Sequence, residues 1–202
     1  MIDTLVGLAL VLLAYFMGAI PTGLIVARLR GIDIRTVGSG NIGATNVLRS
    51  VGPWPALAVM LIDPLKGVAA VTVPTLLGLD PWWVVASAMA AVLGNGFNVF
   101  LRFRGGKGVA TTLGVFVVID PWITLTGVLI FALVLVFGRI VSLASLTAVC
   151  SAPIMLLVLG DANPSTTLLA FALALISVWR HRDNLARLAN GTERRLGRPK
   201  PD

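Results

Sequence analysis

Residues 53–79 read PWPALAVMLIDPLKGVAAVTVPTLLGL, an apolar run longer than the about 20 residues that an α-helix needs to cross a bilayer. Two charged residues, Asp63 and Lys66, interrupt this run. Each ionised group costs about 3 kcal/mol to insert near the centre of a membrane helix, so we expect the two to face inward and to be paired. A structural ion pair between helices and a direct role in a polar site are both compatible with this position.

Further apolar runs on both sides of this one predict an all-α polytopic membrane protein. They cover residues 4–29, 82–101, 109–119, 122–137, 140–159 and 165–179. With 57% hydrophobic and 12% charged residues and a mean hydropathy of +0.94, the 202-residue chain has the composition of this class. We predict about seven transmembrane helices in a single domain, 1–202. Because run 109–119 is short for a full span, an arrangement with five spans is the alternative.

The charges in the connections predict the orientation. Short acidic turns at Asp80, Asp120 and Asp161 alternate with connections, and a tail, that carry the lysines and arginines. By the positive-inside rule the N-terminus lies outside and the C-terminus in the cytoplasm. The net charge of +7 follows this alternation, so it indicates no nucleic-acid partner. Asp3 stands where a signal peptide would have basic residues, so we expect the first run to be retained as a span.

One connection, residues 30–52, contains the polar stretch GSGNIGATNVLR at 38–49. Glycine N–H groups and side-chain donors of this kind bind phosphate, whereas a plain glycine-rich turn is the alternative interpretation. If the chain is helical from Ala44, Thr45 and Arg49 share one face. The spacing also matches G-x-G-x-x-G, but a dinucleotide site needs a parallel sheet, which this pattern does not predict. The candidate anion ligands are Gly38, Ser39, Gly40, Asn41, Gly43, Thr45, Asn46 and Arg49.

A second glycine-rich cluster, FRGGKGVATT at 103–112, lies in the connection 102–109 and opens the short helix. It differs from a P-loop because Leu101 and Gly108 replace the first glycine and the final Ser or Thr of that motif. N–H groups at a helix start together with a lysine still favour a phosphate site. The alternative is a lysine that only anchors the cytoplasmic side. The candidate residues are Gly105, Gly106, Lys107 and Gly108.

A third polar cluster occupies the tail, 180–197, with HRDNLARL at 181–188 and GTE at 191–193. His181 and Asn184 share one helical face, so both can turn inward. Ser142 begins an apolar run on the same predicted side. Binding of anionic lipid headgroups by the arginines is the alternative. With a lone histidine, and with Cys150 alone in an apolar run, we predict no metal site, no cofactor and no disulfide.

The three clusters, in this order, resemble the signature of the bacterial acyl-phosphate:glycerol-3-phosphate acyltransferase family (PlsY), and the likeness covers nearly the whole chain. The resemblance implies an enzyme of the bacterial inner membrane with its active site at the cytoplasmic face. Such an enzyme transfers a fatty acyl group from acyl phosphate to the 1-hydroxyl of glycerol 3-phosphate, giving lysophosphatidic acid and phosphate. The implied partners are these substrates and membrane lipid, without nucleic acid. The sequence predicts no oligomeric state.

Carried over to this chain, the resemblance implies two groups of site residues. The catalytic positions are Ser39, Arg49, Lys107, His181 and Asn184. The substrate-binding positions are Gly38, Gly40, Asn41, Gly43, Thr45, Asn46, Gly105, Gly106, Gly108, Ser142 and Glu193. The chain departs from the family at Asn95 and Asn98, where the family usually has His and Pro. No role for a histidine is therefore expected there.

Chemistry suggests what these residues do. We expect Arg49 and Lys107 to hold phosphate groups, and Ser39 or Asn184 to steady a tetrahedral oxyanion. His181 is the candidate base or phosphate ligand, and a phosphate oxygen of a substrate is the alternative proton acceptor. Two rival functions are a small-anion transporter, suggested by Asp63 and Lys66, and a structural membrane protein that binds anionic lipid. Neither rival explains polar glycine-rich loops concentrated at one membrane face.

Overall fold

The computed structural model describes residues 1–159 and 163–197. These residues form α-helices and one 3₁₀ turn, without strands. The helices are α1 (Ile2–Gly18), α2 (Thr22–Arg28), α3 (Ala44–Ser50), α4 (Pro53–Leu76), α5 (Pro81–Gly96), α6 (Val109–Ile119), α7 (Pro121–Gly138), α8 (Val141–Leu159), α9 (Pro164–Arg180) and α10 (Arg182–Ala189), and the 3₁₀ turn is Val99–Leu101. The helix predicted from Ala44 is confirmed. The predicted acidic turn at Asp161 lies outside the described residues.

Every predicted apolar run forms helix over most of its length in the part of the chain that the structure describes. Among these residues, five segments are long and apolar enough to cross a membrane: Ile2–Arg28, Pro53–Leu76, Pro81–Leu101, Pro121–Gly138 and Val141–Val158. Two shorter apolar helices are Val109–Ile119 and Pro164–Arg180. The all-helical membrane class is therefore confirmed. The count of seven spans and the orientation of the termini stay predictions.

Three helices begin with the same local chemistry, a side-chain cap followed by proline. Asp80 accepts a hydrogen bond from Trp82 N at 2.9 Å before α5, and Asp120 accepts two, from Trp122 N and Ile123 N, before α7. Asn163 does the same for Ser165 N before α9. The capping oxygen accepts hydrogen bonds from first-turn N–H groups that have no partner within the helix. Proline is suited to the first helical position because it has no N–H group that would need a partner there. The predicted turns at Asp80 and Asp120 are therefore helix starts.

By packing, the chain divides into two compact units, 1–119 and 120–202. In the first unit, glycines let helix backbones meet. A Cβ on Gly18 of α1 would lie 2.0 Å from the Ala91 carbonyl oxygen of α5, and one on Gly67 of α4 would lie 2.1 Å from the Thr111 carbonyl oxygen of α6. Such small-residue contacts are typical of membrane helices, because lipid supplies little hydrophobic drive for their association. Substitution of either glycine would push two helices apart.

The first apolar run is broken between α1 and α2, and polar side chains satisfy the exposed backbone there. Asn98 Nδ2 donates to the Ala19 carbonyl oxygen, and Lys66 Nζ donates to the Ile20 carbonyl oxygen at 2.6 Å. The same ammonium group bonds Asp63 Oδ1 at 2.6 Å, with both side chains buried. A helix break inside a membrane protein needs such partners, since lipid offers none. The ion pair lies within α4 and not between helices as expected, so the geometry favours a structural pair that reaches the α1–α2 break through Lys66.

The second unit contains α7, α8, α9 and α10. Helix α8 packs between α7 and α9, and α10 follows α9 after a break at His181. The chain after α10 returns to the start of α8, because Leu196 N donates to the Arg139 carbonyl oxygen at 2.7 Å. This return places residues 192–196 beside the first turn of α8.

Candidate functional site

The first glycine-rich loop is folded around the side chain of Asn46, which is 3% exposed. Its Oδ1 accepts the Ser39 N–H at 2.9 Å. Its Nδ2 faces three carbonyl oxygens, of Ile34 at 3.3 Å, Val37 at 3.1 Å and Asn41 at 2.9 Å. The amide thus replaces the partners that a β-sheet or a helix would supply to this loop. One side chain fixes the path of residues 34–41.

Two glycines of this loop are required by their conformation. Gly38 and Gly40 have φ of 61° and 70°, which glycine adopts without steric cost. A Cβ on Gly38 would also lie 2.1 Å from Asn46 Oδ1. Gly38 therefore serves the close approach of the backbone to Asn46, whereas a Cβ on Gly40 would lie 3.1 Å from the Arg35 carbonyl oxygen.

Ser39 in the loop and Arg49 in the last turn of α3 are exposed, whereas an apolar core supports the inner side of this segment. That core includes Ile34, Val47 and Leu101. Thr45, in the first turn of α3, is half-buried. The segment therefore places an exposed serine and an exposed arginine above a packed apolar core.

Arg35, which precedes the glycines of this loop, is paired with an acidic side chain. Arg35 donates to both carboxylate oxygens of Asp33, from Nε at 2.9 Å and from Nη2 at 2.6 Å. The side-chain hydrogen bonds from Arg35 lower the pKa of Asp33 to about 2. Because this carboxylate stays ionised, it offsets the charge of Arg35. Arg35 and Asp33 therefore form a neutral pair beside the loop.

The second glycine-rich loop is held by Asn95, near the end of α5. Gly106 N donates to the Asn95 carbonyl oxygen at 2.9 Å, and Gly108 N donates to Asn95 Oδ1 at 3.1 Å. Gly105 N donates to the Gly96 carbonyl oxygen at 3.1 Å. Lys107 is half-buried between these anchored glycines. The loop thus fixes the backbone on both sides of Lys107.

Asn98 organises the turn that precedes this loop. Its Oδ1 accepts the Phe100 N–H at 3.0 Å and caps the 3₁₀ turn, while its Nδ2 bonds the Ala19 carbonyl oxygen. The sequence predicted no such roles for Asn95 and Asn98. The signal that could have found them is an asparagine beside glycine at the end of an apolar run, where the chain must turn.

In the second unit, Glu193 brings three predicted or neighbouring polar side chains together. Its Oε1 accepts from Asn184 Nδ2 at 2.6 Å and from Ser142 Oγ at 2.8 Å. Its Oε2 accepts from Arg187 Nε at 2.7 Å. Glu193 thereby ties the tail to both α8 and α10. Because three donors within the protein already bond this carboxylate, Glu193 is suited to holding neighbouring side chains in place.

These contacts also determine how Glu193 ionises. Burial raises the pKa of Glu193, but the hydrogen bonds from Asn184, Arg187 and Ser142 lower it more, and the net pKa lies below its usual value. The carboxylate is therefore charged at neutral pH. Its charge in turn orients the Asn184 amide.

His181 lies at the junction of α9 and α10 and is 1% exposed. Its Nδ1 lies 2.8 Å from the Ser177 carbonyl oxygen, which can only accept a hydrogen bond. Nδ1 must therefore carry a proton, and in the neutral ring Nε2 is the nitrogen that can accept one. In this tautomer the unprotonated nitrogen is Nε2, which is the atom that a general base would use.

The structure groups the predicted residues within each unit. Asn46 gathers Gly38, Ser39 and Asn41, and Asn95 gathers Gly105, Gly106 and Gly108. In the second unit, Glu193 gathers Ser142 and Asn184, while His181 is held by Ser177. Gly43 is bonded through its N–H to Asn41 Oδ1 at 2.8 Å. Within the described ranges, no three His, Cys, Asp or Glu side chains are grouped as metal ligands would be.

Residues 8–191 match the family model described as "Glycerol-3-phosphate acyltransferase". A protein named glycerol-3-phosphate acyltransferase from Thermus thermophilus is 50% identical over 186 residues, which cover 92% of this chain and 93% of the relative. The family match includes all three polar clusters, apart from the last residues of the third.

The fold matches crystal structures of PlsY (YgiH), an integral membrane glycerol 3-phosphate acyltransferase. Its glycerol 3-phosphate form has a TM-score of 0.90 and 40% identity, with 95% of this chain and 96% of that chain covered. Its lysophosphatidic acid form has a TM-score of 0.88 and 39% identity, with 95% of each chain covered. Since sequence and backbone agree over nearly the whole length, this helical membrane chain belongs to the PlsY family of glycerol-3-phosphate acyltransferases.

Proposed function

We propose that the protein transfers a fatty acyl group from acyl phosphate to the 1-hydroxyl of glycerol 3-phosphate and releases lysophosphatidic acid and inorganic phosphate. The observation that carries this proposal is the pair of PlsY forms that match the chain, one with glycerol 3-phosphate and one with lysophosphatidic acid. These molecules differ by one acyl group, so they are the acceptor and the product of such a transfer.

The donor is proposed from the chemistry of the loops. The first cluster carries Arg49 in α3, and the second carries Lys107 on a backbone held by the buried Asn95. Two phosphate-bearing substrates would use two such positions. Acyl phosphate also brings a good leaving group, so the chain needs no nucleophile of its own.

The reaction then balances as a direct substitution. The 1-hydroxyl oxygen of glycerol 3-phosphate forms a bond to the acyl carbonyl carbon. The bond between that carbon and the bridging oxygen breaks, and the electron pair leaves with phosphate. The hydroxyl proton passes either to Nε2 of His181 or to a phosphate oxygen of a substrate. No covalent acyl-enzyme forms.

We assign the other predicted residues by their contacts. Ser39, exposed on the first loop, or Asn184 is the proposed donor to the tetrahedral oxyanion, and such a donor contributes about 3 kcal/mol to lowering the barrier. Asn46 and Glu193, whose polar atoms bond within the protein, hold these donors in place. Alignment of the hydroxyl with the carbonyl carbon supplies as much as about 7 to 11 kcal/mol.

The charge distribution supports a location in the bacterial inner membrane with the site at the cytoplasmic face. Loops that carry Arg49 and Lys107, and the tail after His181, are the basic connections that the positive-inside rule assigns to the cytoplasm. Glycerol 3-phosphate is water-soluble, whereas the acyl donor is not. A site at this interface is accessible to both.

The test is a reconstitution with a choice of donors. The purified protein in phospholipid vesicles receives glycerol 3-phosphate with either acyl phosphate or acyl-CoA of the same chain length. We expect lysophosphatidic acid and phosphate in equal amounts from acyl phosphate, and no comparable rate from acyl-CoA, which lacks the small phosphate leaving group. Folded protein that is inactive with acyl phosphate would refute the proposal.

A further inference from the structure

Asn95 anchors the backbone on both sides of Lys107. The Gly106 N–H donates to its carbonyl oxygen at 2.9 Å, and the Gly108 N–H donates to its side-chain Oδ1 at 3.1 Å. Asn95 itself is 6% exposed at the end of α5. A single buried residue therefore sets the two glycines that flank the lysine. Asn95 is not among the site residues that the sequence predicts.

The glycines of the loop are fitted to Asn95. A Cβ on Gly105 would lie 2.0 Å from the Asn95 carbonyl oxygen, and one on Gly106 would lie 2.6 Å from Asn95 Oδ1. Distances this short exclude any side chain unless the loop moves. The glycine pattern is thus explained by close packing against α5. The N–H groups of Gly105, Gly106 and Gly108 serve the same packing, since each donates within the protein.

The loop is also bonded to the start of the next helix, α6. The Gly108 carbonyl oxygen accepts the Thr112 N–H at 2.8 Å, which is the first bond of α6. Gly108 has a φ of 77°, and a Cβ there would lie 2.8 Å from Val92 Cγ1 of α5. The loop is therefore fixed at the end of α5 and at the start of α6, with Lys107 between the two attachments.

We propose that Asn95 is a positioning residue, which acts on substrate binding by fixing the backbone from which Lys107 extends. This inference rests on the proposed function, in which Lys107 binds a phosphate group. The acceptor at Asn95 Oδ1 is the feature that matters, because it holds the N–H that follows the lysine. A side chain of equal shape without that acceptor would let the Gly106–Gly108 segment move.

The test compares variants that keep or remove the acceptor. Asn95→Leu keeps the shape but accepts no hydrogen bond, whereas Asn95→His places a ring nitrogen where Oδ1 lies and can accept one. We expect Asn95→Leu to raise the KM for at least one substrate about tenfold, the equilibrium effect of one lost hydrogen bond, with kcat changed less. Asn95→His should keep both KM values within about threefold of the wild type. If Asn95→Leu does not fold, Asn95→Ala takes its place.

A matched control separates positioning from stability. Asn163→Ala removes a capping bond to Ser165 N at the start of α9, which lowers stability without touching the loop. It should leave both KM values unchanged. Unchanged KM values in a folded Asn95→Leu or Asn95→Ala variant would overturn the inference, as would an equal rise in the Asn163→Ala control.

Hydrogen exchange distinguishes this inference from the proposed function. In Asn95→Leu the Gly108 amide should exchange faster than in the wild type and in Asn95→His, whether or not the protein is active. If the wild type is inactive but shows this exchange pattern, the proposed function is refuted, whereas the claim that Asn95 holds the Gly108 amide is supported. An active wild type with equal exchange and equal KM values would refute the positioning role alone.

Discussion

Asn46 gives the first loop its shape through four side-chain hydrogen bonds to backbone groups of residues 34–41. The sequence pattern of glycines and polar residues predicted a phosphate loop here, and it named Asn46 as a ligand. It could not predict these bonds, because they join residues up to 12 positions apart and depend on how the chain closes on itself. The same limit applies to Asn95 in the second loop.

A substitution at Asn46 tests this structural role. Asn46→Asp keeps an acceptor for the Ser39 N–H but sets a carboxylate against three carbonyl oxygens, which need a donor. We expect a loss of about 2 kcal/mol or more in the free energy of unfolding, together with a large loss of activity. Asn163→Asp, which preserves a helix cap, is the matched control and should be neutral. Equal thermal stability of the two variants would contradict this account of the loop.

His181 is the residue whose replacement identifies the proton acceptor. Its Nδ1 is bonded to the Ser177 carbonyl oxygen, so Nε2 is the basic position. General-base catalysis contributes about 100-fold or more, so His181→Ala should lower kcat at least that much if Nε2 takes the proton. A kcat within about tenfold of the wild type, measured on folded protein, would assign the proton to a substrate phosphate instead.

At the scale of elements, the helix starts were the most predictable feature. Asp80-Pro81 and Asp120-Pro121 are caps that local chemistry specifies. The break between α1 and α2 was not predicted, since residues 4–29 are mostly apolar and its local signals were Gly18, Pro21 and Gly23 alone. The partners of the broken backbone, Lys66 and Asn98, come from distant segments.

The buried ion pair at this break predicts an order of stabilities. Lys66→Met leaves the Asp63 carboxylate buried without its partner, which costs about 3 to 5 kcal/mol. The double variant Asp63→Asn, Lys66→Met removes both charges and should recover part of that loss. Thermal unfolding in detergent compares the three proteins. A double variant less stable than Lys66→Met would show that the pair does not act as described.

The strap formed by residues 192–196 predicts a dependence on pH. Because the folded pKa of Glu193 is lowered, its stabilisation is fully present above the ordinary Glu pKa of about 4.3 and is lost as pH falls through the folded pKa. The difference in melting temperature between wild type and Glu193→Gln should therefore be largest at neutral pH and shrink in acid. Asp183→Asn, at a well-exposed carboxylate, should show little difference at any pH. A constant difference for Glu193→Gln would contradict the role of its charge.

For the whole molecule, composition and apolar runs were sufficient to predict an all-helical membrane protein. The number of spans was harder, because α6 and α9 have 11 and 17 residues, below the length of about 20 that crosses a bilayer unaided. Such helices cross only where the bilayer is thin or the chain is extended at their ends. Length and hydropathy alone do not decide between these cases.

The proposed orientation is tested with an impermeant thiol reagent on intact cells, in a Cys150→Ser background. We expect labelling of the Leu77→Cys variant, in an outer connection. The Thr36→Cys and Asn190→Cys variants, in basic connections, should react only after permeabilisation. These positions are all exposed in the structure. Labelling of Thr36→Cys in intact cells would reverse the predicted orientation.

The central claim is that the protein moves the acyl group of acyl phosphate and not its phosphoryl group. Acyl phosphate labelled with ¹⁸O in the bridging oxygen distinguishes the two reactions. Acyl transfer breaks the bond from carbonyl carbon to bridging oxygen, so we predict the label in released inorganic phosphate, with unlabelled lysophosphatidic acid. Label retained in a free fatty acid, with phosphate transferred to the acceptor, would contradict the account.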